Sequence, residues 1–359
     1  MSSSPRKSNI PPGFIKRYLN ASAKALRATK VCLHPDAPSS CSGPAINAHS
    51  IQRSGPLSRI VDEQMKVLAW NALEGWGIVN AIEAAQPSAL GWREASIFSG
   101  FCAKHDNDTF SLIEKHAFAG TPHQCTIIGY RSLCFELYRK IVSLHIRPQQ
   151  RIILSSSIPQ STENQVSQME TMTDAGLESG ISYLTDLKKR YESAINTTCF
   201  DGFSYCVFRF NGTLSVASTG SINPDWDIRG KRIQDLGLLD DAMQGLTYGI
   251  VLDGDSFSVV FSWPHEFSLI AHFIEQLSQL DGQALATALI IFMFAYSENT
   301  YFSSSWWKGL RPAQRVRLRD LALTPIQYGS PVNYKGSSLV DWRLETVTCS
   351  ANGRKPAIP

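Results

Sequence analysis

The chain has 359 residues, 43% of them hydrophobic and 18% charged, with eight cysteines and a formal net charge of +3. That balance excludes a disordered or fibrous chain, and the length favours two domains over one. The N-terminus carries no apolar run resembling a signal segment, and the longest apolar stretch, ALATALIIFMFAY at 284–296, is too short to span a bilayer. The expectation is a soluble cytoplasmic protein with no membrane partner. Eight irregularly spaced cysteines in a chain of this size suggest reduced thiols or metal ligands rather than a disulfide framework.

Residues 1–29 form a basic segment, and the asymmetry extends to residue 60. That sixth of the chain holds nine Lys or Arg against the single acid Asp36, a net +8 that leaves −5 for the remainder. Such a segment suits a phosphate-rich partner, DNA or RNA, because its cations release condensed counterions; it equally suits a solubilising tail. Residues 1–12, rich in Ser, Pro and Lys/Arg, are expected to be mobile. Phe14, Ile15, Leu19, Ala23 and Leu26 then recur at helical spacing. The Pro-, Ser- and Gly-rich stretch that follows demands loops, with one short strand at PAINAHSI (44–51), and residues 62–99 read as mixed short elements.

Thr121, Pro122 and Gln124 supply an N-cap, a first-turn proline and a capping box. From there Ile127, Tyr130, Cys134, Leu137, Ile141 and Leu144 mark the buried stripe of a helix that Pro148 is expected to end, which makes Cys134 a core residue. The Ser/Gln-rich 155–165 reads as a linker. A second helix carries Leu177, Ile181, Leu184, Leu187, Tyr191 and Ile195. Near residue 200 the period changes to two. Extended runs flank Asn211-Gly212 and Asp253-Gly254, predicting two hairpins and at least four antiparallel strands. An amphipathic helix after Pro264 and the wholly apolar helix at 284–296 close the chain, the latter as the central buried helix. The predicted fold is α+β, with a zinc-stabilised module and its following helix at 30–150, then a linker helix, an antiparallel sheet and C-terminal helices at 151–359.

The chemistry-bearing residues lie in the module. A structural zinc takes four Cys or His ligands, usually delivered as two close pairs. Cys102 and His105 are one pair, separated by two residues. Cys32 and Cys41, the only cysteines preceding them, are the other across an eight-residue gap, with His34 as an alternative ligand. His116, His123 and Cys125 are further candidates for replacing any of the four. The competing reading is buried unmetallated thiols beside a surface histidine.

Taken in order, a cysteine pair, a short strand ending in AHSI, an insertion, and a Cys-x-x-His pair at a helix start resemble the treble-clef, zinc-supported form of the HNH (ββα-metal) nuclease family. AINAHSIQR and ASIFSGFCAKHDNDTF also look like segments of a group of bacterial proteins that pair such a module with a longer C-terminal region. The resemblance covers roughly residues 30–115. It implies zinc on Cys32, Cys41, Cys102 and His105, His49 as the base that activates water, and Asp106 as ligand of a catalytic Mg2+ or Mn2+. Two positions depart from the family pattern. Ala48 stands where a metal-binding Asp or His often precedes the base, and Ser96 or Ile97 falls where an asparagine is expected. Without the resemblance, His49 is a loop-bonding histidine and Asp106 a first-turn acid. Asn107, Asp108 and Glu114 are nearby polar groups.

Elsewhere, WPHE at 263–266 and SENTYFSSSWW at 297–307 offer His265, Glu266, Glu298 and Asn299 for a second pocket if the apolar helix brings them together. There is no glycine-rich dinucleotide loop, phosphate loop or nucleophile elbow. The function these features imply is nucleic-acid binding with metal-dependent endonuclease action, its C-terminal region sensing or binding a protein partner, as in bacterial antiviral defence by analogy. The alternative is a non-catalytic, zinc-stabilised interaction or regulatory protein.

Overall fold

The switch to a two-residue period near residue 200 marks the start of the run of strands that forms most of the main sheet. The computed structural model describes residues 14–70, 86–156, 163–236, 243–323 and 331–350. The N-terminal dozen residues and most of the Ser/Gln-rich stretch lie outside these, as do the side chains of Phe14, Ile15, Leu19 and Ala23.

Helix α1 (Phe14–Ala28) is followed by strand β1 (Ala45–His49). Next come β2 (Lys66–Ala69), β3 (Ser88–Gly91), β4 (Ile97–Cys102) and helix α2 (Ala103–Glu114). Two long helices, α3 (Pro122–Ser155) and α4 (Glu163–Thr197), lead into β5 (Phe203–Asn211), β6 (Val216–Ile222), β7 (Leu246–Asp253) and β8 (Ser256–Pro264). Helices α5 (Ser268–Ser278) and α6 (Gly282–Tyr296), strand β9 (Thr300–Phe302), helices α7 (Ser304–Gly309) and α8 (Pro312–Leu323) and strand β10 (Arg343–Cys349) complete the order. The protein is a mixed helix-and-sheet structure, and no helix of the described residues is long and apolar enough to cross a membrane.

Among the described residues the main sheet has eight strands in the order β10-β5-β8-β7-β6-β9-β2-β3. Asp253-Gly254 turns the β7–β8 hairpin as expected, pairing Asp253 with Ser256, and Gly254 takes a positive φ of 66°. The second expected hairpin is not formed. β5 pairs with β8 and β10 rather than β6, so Asn211-Gly212 joins non-neighbouring strands. At Gly212 the backbone runs too close to Asp341 for a side chain, which accounts for glycine there without a hairpin. Strands β2 and β3 reach the same sheet through β9, so the sheet draws on residues either side of position 150.

Alternate side chains of the strands feed two layers. Phe208, Phe210, Tyr248, Phe261 and Trp263 join one core with α6, whose residues Leu285 to Phe294 are all buried, as its uniform apolarity predicts. Val207 and Val260 meet Cys125 and Ile128 of α3 on the other face. Helix α3 starts as its cap predicts, with Thr121 Oγ1 accepting from the Gln124 amide at 3.2 Å. It does not end at Pro148, a correction. The helix runs to Ser155, and the turn around the proline is held by α4: Arg147 donates to Asp174 at 2.7 Å and pairs with Glu170 at 2.7 Å. Packing across two long helices outweighs one missing amide donor.

A second correction concerns the thiols. Cys206 and Cys349 are paired across β5 and β10 and form a disulfide, while the other six cysteines are free. Directly opposed positions on antiparallel neighbours bring two Cβ atoms close, and this pairing joins residues 143 apart in sequence.

Candidate metal centre and the adjoining histidine

Strands β1 and β4 form a separate two-stranded antiparallel sheet, with Ala45 opposite Cys102 and His49 opposite Ile97. Residues 31–33 run alongside β4, the Val31 and Leu33 amides donating to the carbonyls of Ser99 and Gly100 at 3.1 and 2.8 Å. The chain then turns at 34–41, where the Cys41 amide donates to the Pro38 carbonyl at 3.2 Å, and returns as β1. β4 leads without a break into α2, whose N-cap is Cys102 itself. Three segments distant in sequence therefore meet at the first turn of one helix.

Cys32, Cys41, Cys102 and His105 converge there, all four donor atoms lying within 4.8 Å of one another. His105 Nδ1 is 3.3 Å from Cys32 Sγ and 3.7 Å from Cys41 Sγ. A tetrahedral zinc with sulfur at about 2.3 Å and nitrogen at about 2.0–2.1 Å has ligand-to-ligand edges of roughly 3.5–3.8 Å, so the donor set and its spacing fit a metal ion such as zinc. The surroundings also fit. The Cys102 amide donates to Cys32 Sγ at 3.4 Å, and Ser40 Oγ lies 2.9 Å from His105 Nε2. That second contact fixes the imidazole with Nδ1 toward the thiols, the orienting role an outer-sphere hydrogen bond takes at a metal-bound histidine. Burial acts to raise the Cys102 thiol, yet the His105 and Ser42 backbone groups and the Ser42 side chain bring it down to about 7. Cys41 goes the other way, to about 12, through burial and the neighbouring Cys32 and Cys102 sulfurs. Three thiols packed this closely disfavour sharing negative charge unless a cation sits among them.

The alternative ligands are elsewhere. His34 stacks flat on the His105 ring, centroids 3.8 Å apart at 11°, and accepts from the Asp36 amide through Nδ1. His123 stacks on Phe200, Cys125 is buried against the sheet, and His116 lines a cleft with Gln52, Ile113 and Gln124.

His49 ends β1, and its Nε2 is buried with no hydrogen-bond partner among the described residues. Burial lowers its pKa, the Arg53 and Arg131 cations lower it further, and a bond to the Arg93 backbone and the Glu114 carboxylate act against them. The ring is thereby held neutral at pH 7 with one nitrogen uncommitted. Asp106, one residue beyond His105, has its carboxyl raised by burial; Arg131 opposes that shift and Glu114 adds to it. His49, Asp106, Glu114 and Arg131 thus share one electrostatic environment. Asn107 and Asp108 do not belong to it. Asn107 accepts from Lys115 at 2.5 Å, and Asp108 pairs with Lys104 at 3.3 Å on the exposed face of α2.

Arg131 was not singled out by sequence motif, although one signal was present. It lies four residues after Ile127, on the stripe that also holds Tyr130 and Cys134, so a charged residue occupied a core position. Its side chain is 5% exposed, its guanidinium lies 4.2 Å over the Phe110 ring, and Nη2 donates to Glu114 at 2.6 Å. The second pocket is not assembled: Glu266 pairs with Arg190, Glu298 with Arg139, and Asn299 donates to Ser50 Oγ at 2.8 Å. Compared with known protein families, curated proteins and solved structures, the chain matches none.

Proposed function

We propose that residues 30–115 form a zinc-stabilised, treble-clef HNH-like module and that the protein binds nucleic acid and cleaves phosphodiester bonds at His49. The observation that carries the reading is the buried, unpartnered Nε2 of His49, a ring whose pKa burial lowers. A neutral imidazole with a free nitrogen is the form that takes a proton from water. The order of strand, strand and helix, with two metal ligands on the helix's first turn, supports the module; exposed Lys24, Arg27 and Lys30 near the end of α1 support a polyanionic partner. Asp106 would hold a catalytic Mg2+ or Mn2+, which supplies charge to neutralise the phosphate as water attacks. His49 accepts the proton of that water, and its Arg93 bond keeps the ring aligned.

The test is cleavage of plasmid DNA and of RNA in Mg2+ or Mn2+ by wild-type and His49→Ala protein. Activity lost in the variant with zinc content and fold intact supports the reading. Binding without cleavage across metals and substrates refutes it. One observation favours a second reading, a non-catalytic zinc-stabilised module that docks nucleic acid or a protein partner. Glu114, the second carboxylate that acts on Asp106, is engaged by Arg131, which leaves Asp106 with little help in holding a divalent ion.

A further inference from the structure

We infer that Arg131 is an anion-binding residue of the His49 site, for which the Glu114 carboxylate is the resident competitor that a phosphate oxyanion displaces. This rests on the reading of the site as one that handles phosphate. Two buried polar atoms, His49 Nε2 and Arg131 Nε, have no hydrogen-bond partner among the described residues. An arginine buried to this degree ordinarily spends every N–H, because an unpaired buried donor is costly, and more so when charged. Here Nη2 is satisfied by Glu114 and the flat face by Phe110, while Nε is left over. The guanidinium fork matches a phosphate with two parallel donors, and Glu114 occupies only one.

Position supports displacement. The Arg131 side chain is 5% exposed and that of Glu114 34%, so the carboxylate is the more solvent-accessible partner of the pair. Glu114 is the last residue of α2, and beyond it the chain passes His116 and Ala117 at the cleft that Gln52 and Ile113 also line. Gln52 donates to the Glu114 carbonyl at 3.4 Å, tying the segment after β1 to this end of the helix. Swinging Glu114 outward therefore moves a helix-terminal side chain and leaves β1 and β4 in place. Arg53, exposed and stacked 5.7 Å from the Trp92 ring, adds a second cation near His49. The Arg131 cation also acts on the His49 ring, lowering its pKa.

The experiment is titration calorimetry with inorganic phosphate at constant ionic strength, without added divalent ion, on the zinc-loaded full chain. Arg131→Gln is expected to weaken phosphate binding at least about tenfold, Arg131→Lys less, and Glu114→Gln to strengthen it about tenfold by removing the competitor. A purely structural Arg131–Glu114 pair predicts instead that Glu114→Gln lowers stability without tightening phosphate. Unchanged affinity in Arg131→Gln, or no tightening in Glu114→Gln, overturns the proposal; should Arg131→Gln fail to fold, Glu114→Gln decides. Wild-type protein that binds phosphate in this pattern yet cleaves no nucleic acid would sink the nuclease reading and leave the anion site standing.

Discussion

Cys102→Ser is the perturbation with the widest reach. A metal ion bound by the four residues would hold two closures, one across the nine positions from Cys32 to Cys41 and one across the sixty-one from Cys41 to Cys102. Treated as cross-links in a flexible chain, these cost about 3 and about 4 kcal/mol. A structural zinc contributes on the order of 10–16 kcal/mol, more than both together. Replacing one thiolate by a hydroxyl leaves three ligands and a fully buried oxygen at the start of α2. We expect metal content to fall from one zinc per chain to nearly none after a chelator challenge. The disturbance should remain local, because Phe98, Phe101 and Phe110 still pack on α3 and the eight-stranded sheet has its own core. The assay is elemental analysis together with hydrogen exchange. Opening of residues 31–41 and 102–106 should become easier by at least about 3 kcal/mol, over a hundredfold in protection, while β5–β8 amides change little. Stoichiometric zinc in Cys102→Ser, or zinc-free wild-type protein with unchanged protection at these amides, would refute the metal centre.

Other expectations follow from single contacts. Because burial holds His49 below its ordinary 6.5, the unfolded chain takes up that proton first as pH falls. Its contribution to stability is complete above about pH 6.5 and is lost as pH drops through the lower folded value. The acid limb of any cleavage should likewise lie below pH 6.5, and the stability slope in that window should shrink in His49→Gln, as followed by urea unfolding from pH 4 to 8. Asp106→Asn should keep zinc and fold but lose divalent-dependent cleavage; full activity in the variant would remove Asp106 from the site. Gly129→Ala should destabilise by about 1–3 kcal/mol, since the new methyl meets the Thr247 hydroxyl and lies 3.0 Å from the Tyr191 hydroxyl where α3 crosses the sheet. Thermal unfolding measures it, and an unchanged midpoint would contradict that close approach.

What could be read from the chain divides by the range of the interaction that decides it. The Thr121 helix cap, the Asp253-Gly254 hairpin and the buried character of Cys134 and α6 are set within a few residues, and they appear where the pattern puts them. The convergence of Cys32, Cys41, Cys102 and His105 was legible for another reason: soft donors are few, and only Cys32 and Cys41 precede the Cys-x-x-His pair. Strand order was not legible, because β10 reaches β5 across more than a hundred residues and nothing near Asn211 reports that β8, rather than β6, lies beside it. The Cys206–Cys349 pairing depends on that same long-range register. Arg131 escaped because a periodicity test counts apolar residues and passes over the charged one that shares their stripe.

Helix α2 joins the two halves of the site into one object. Its start supplies Cys102 and His105 to the candidate metal cluster, Asp106 follows one residue later, Phe110 lies one turn on beneath the Arg131 guanidinium, and Glu114 ends the helix against that same arginine. A helix of twelve residues has marginal stability alone, and this one has no side-chain cap at its start, so its order comes from what grips it. A metal ion on the Cys/His cluster would grip one end, and the contacts of Phe110 and Glu114 with Arg131 of α3 grip the other. Losing zinc should therefore loosen Asp106 before it disturbs Arg131, and divalent-ion affinity should decay ahead of phosphate affinity as chelator is added. Simultaneous loss of both would mean that the grip from α3 does not hold α2 by itself.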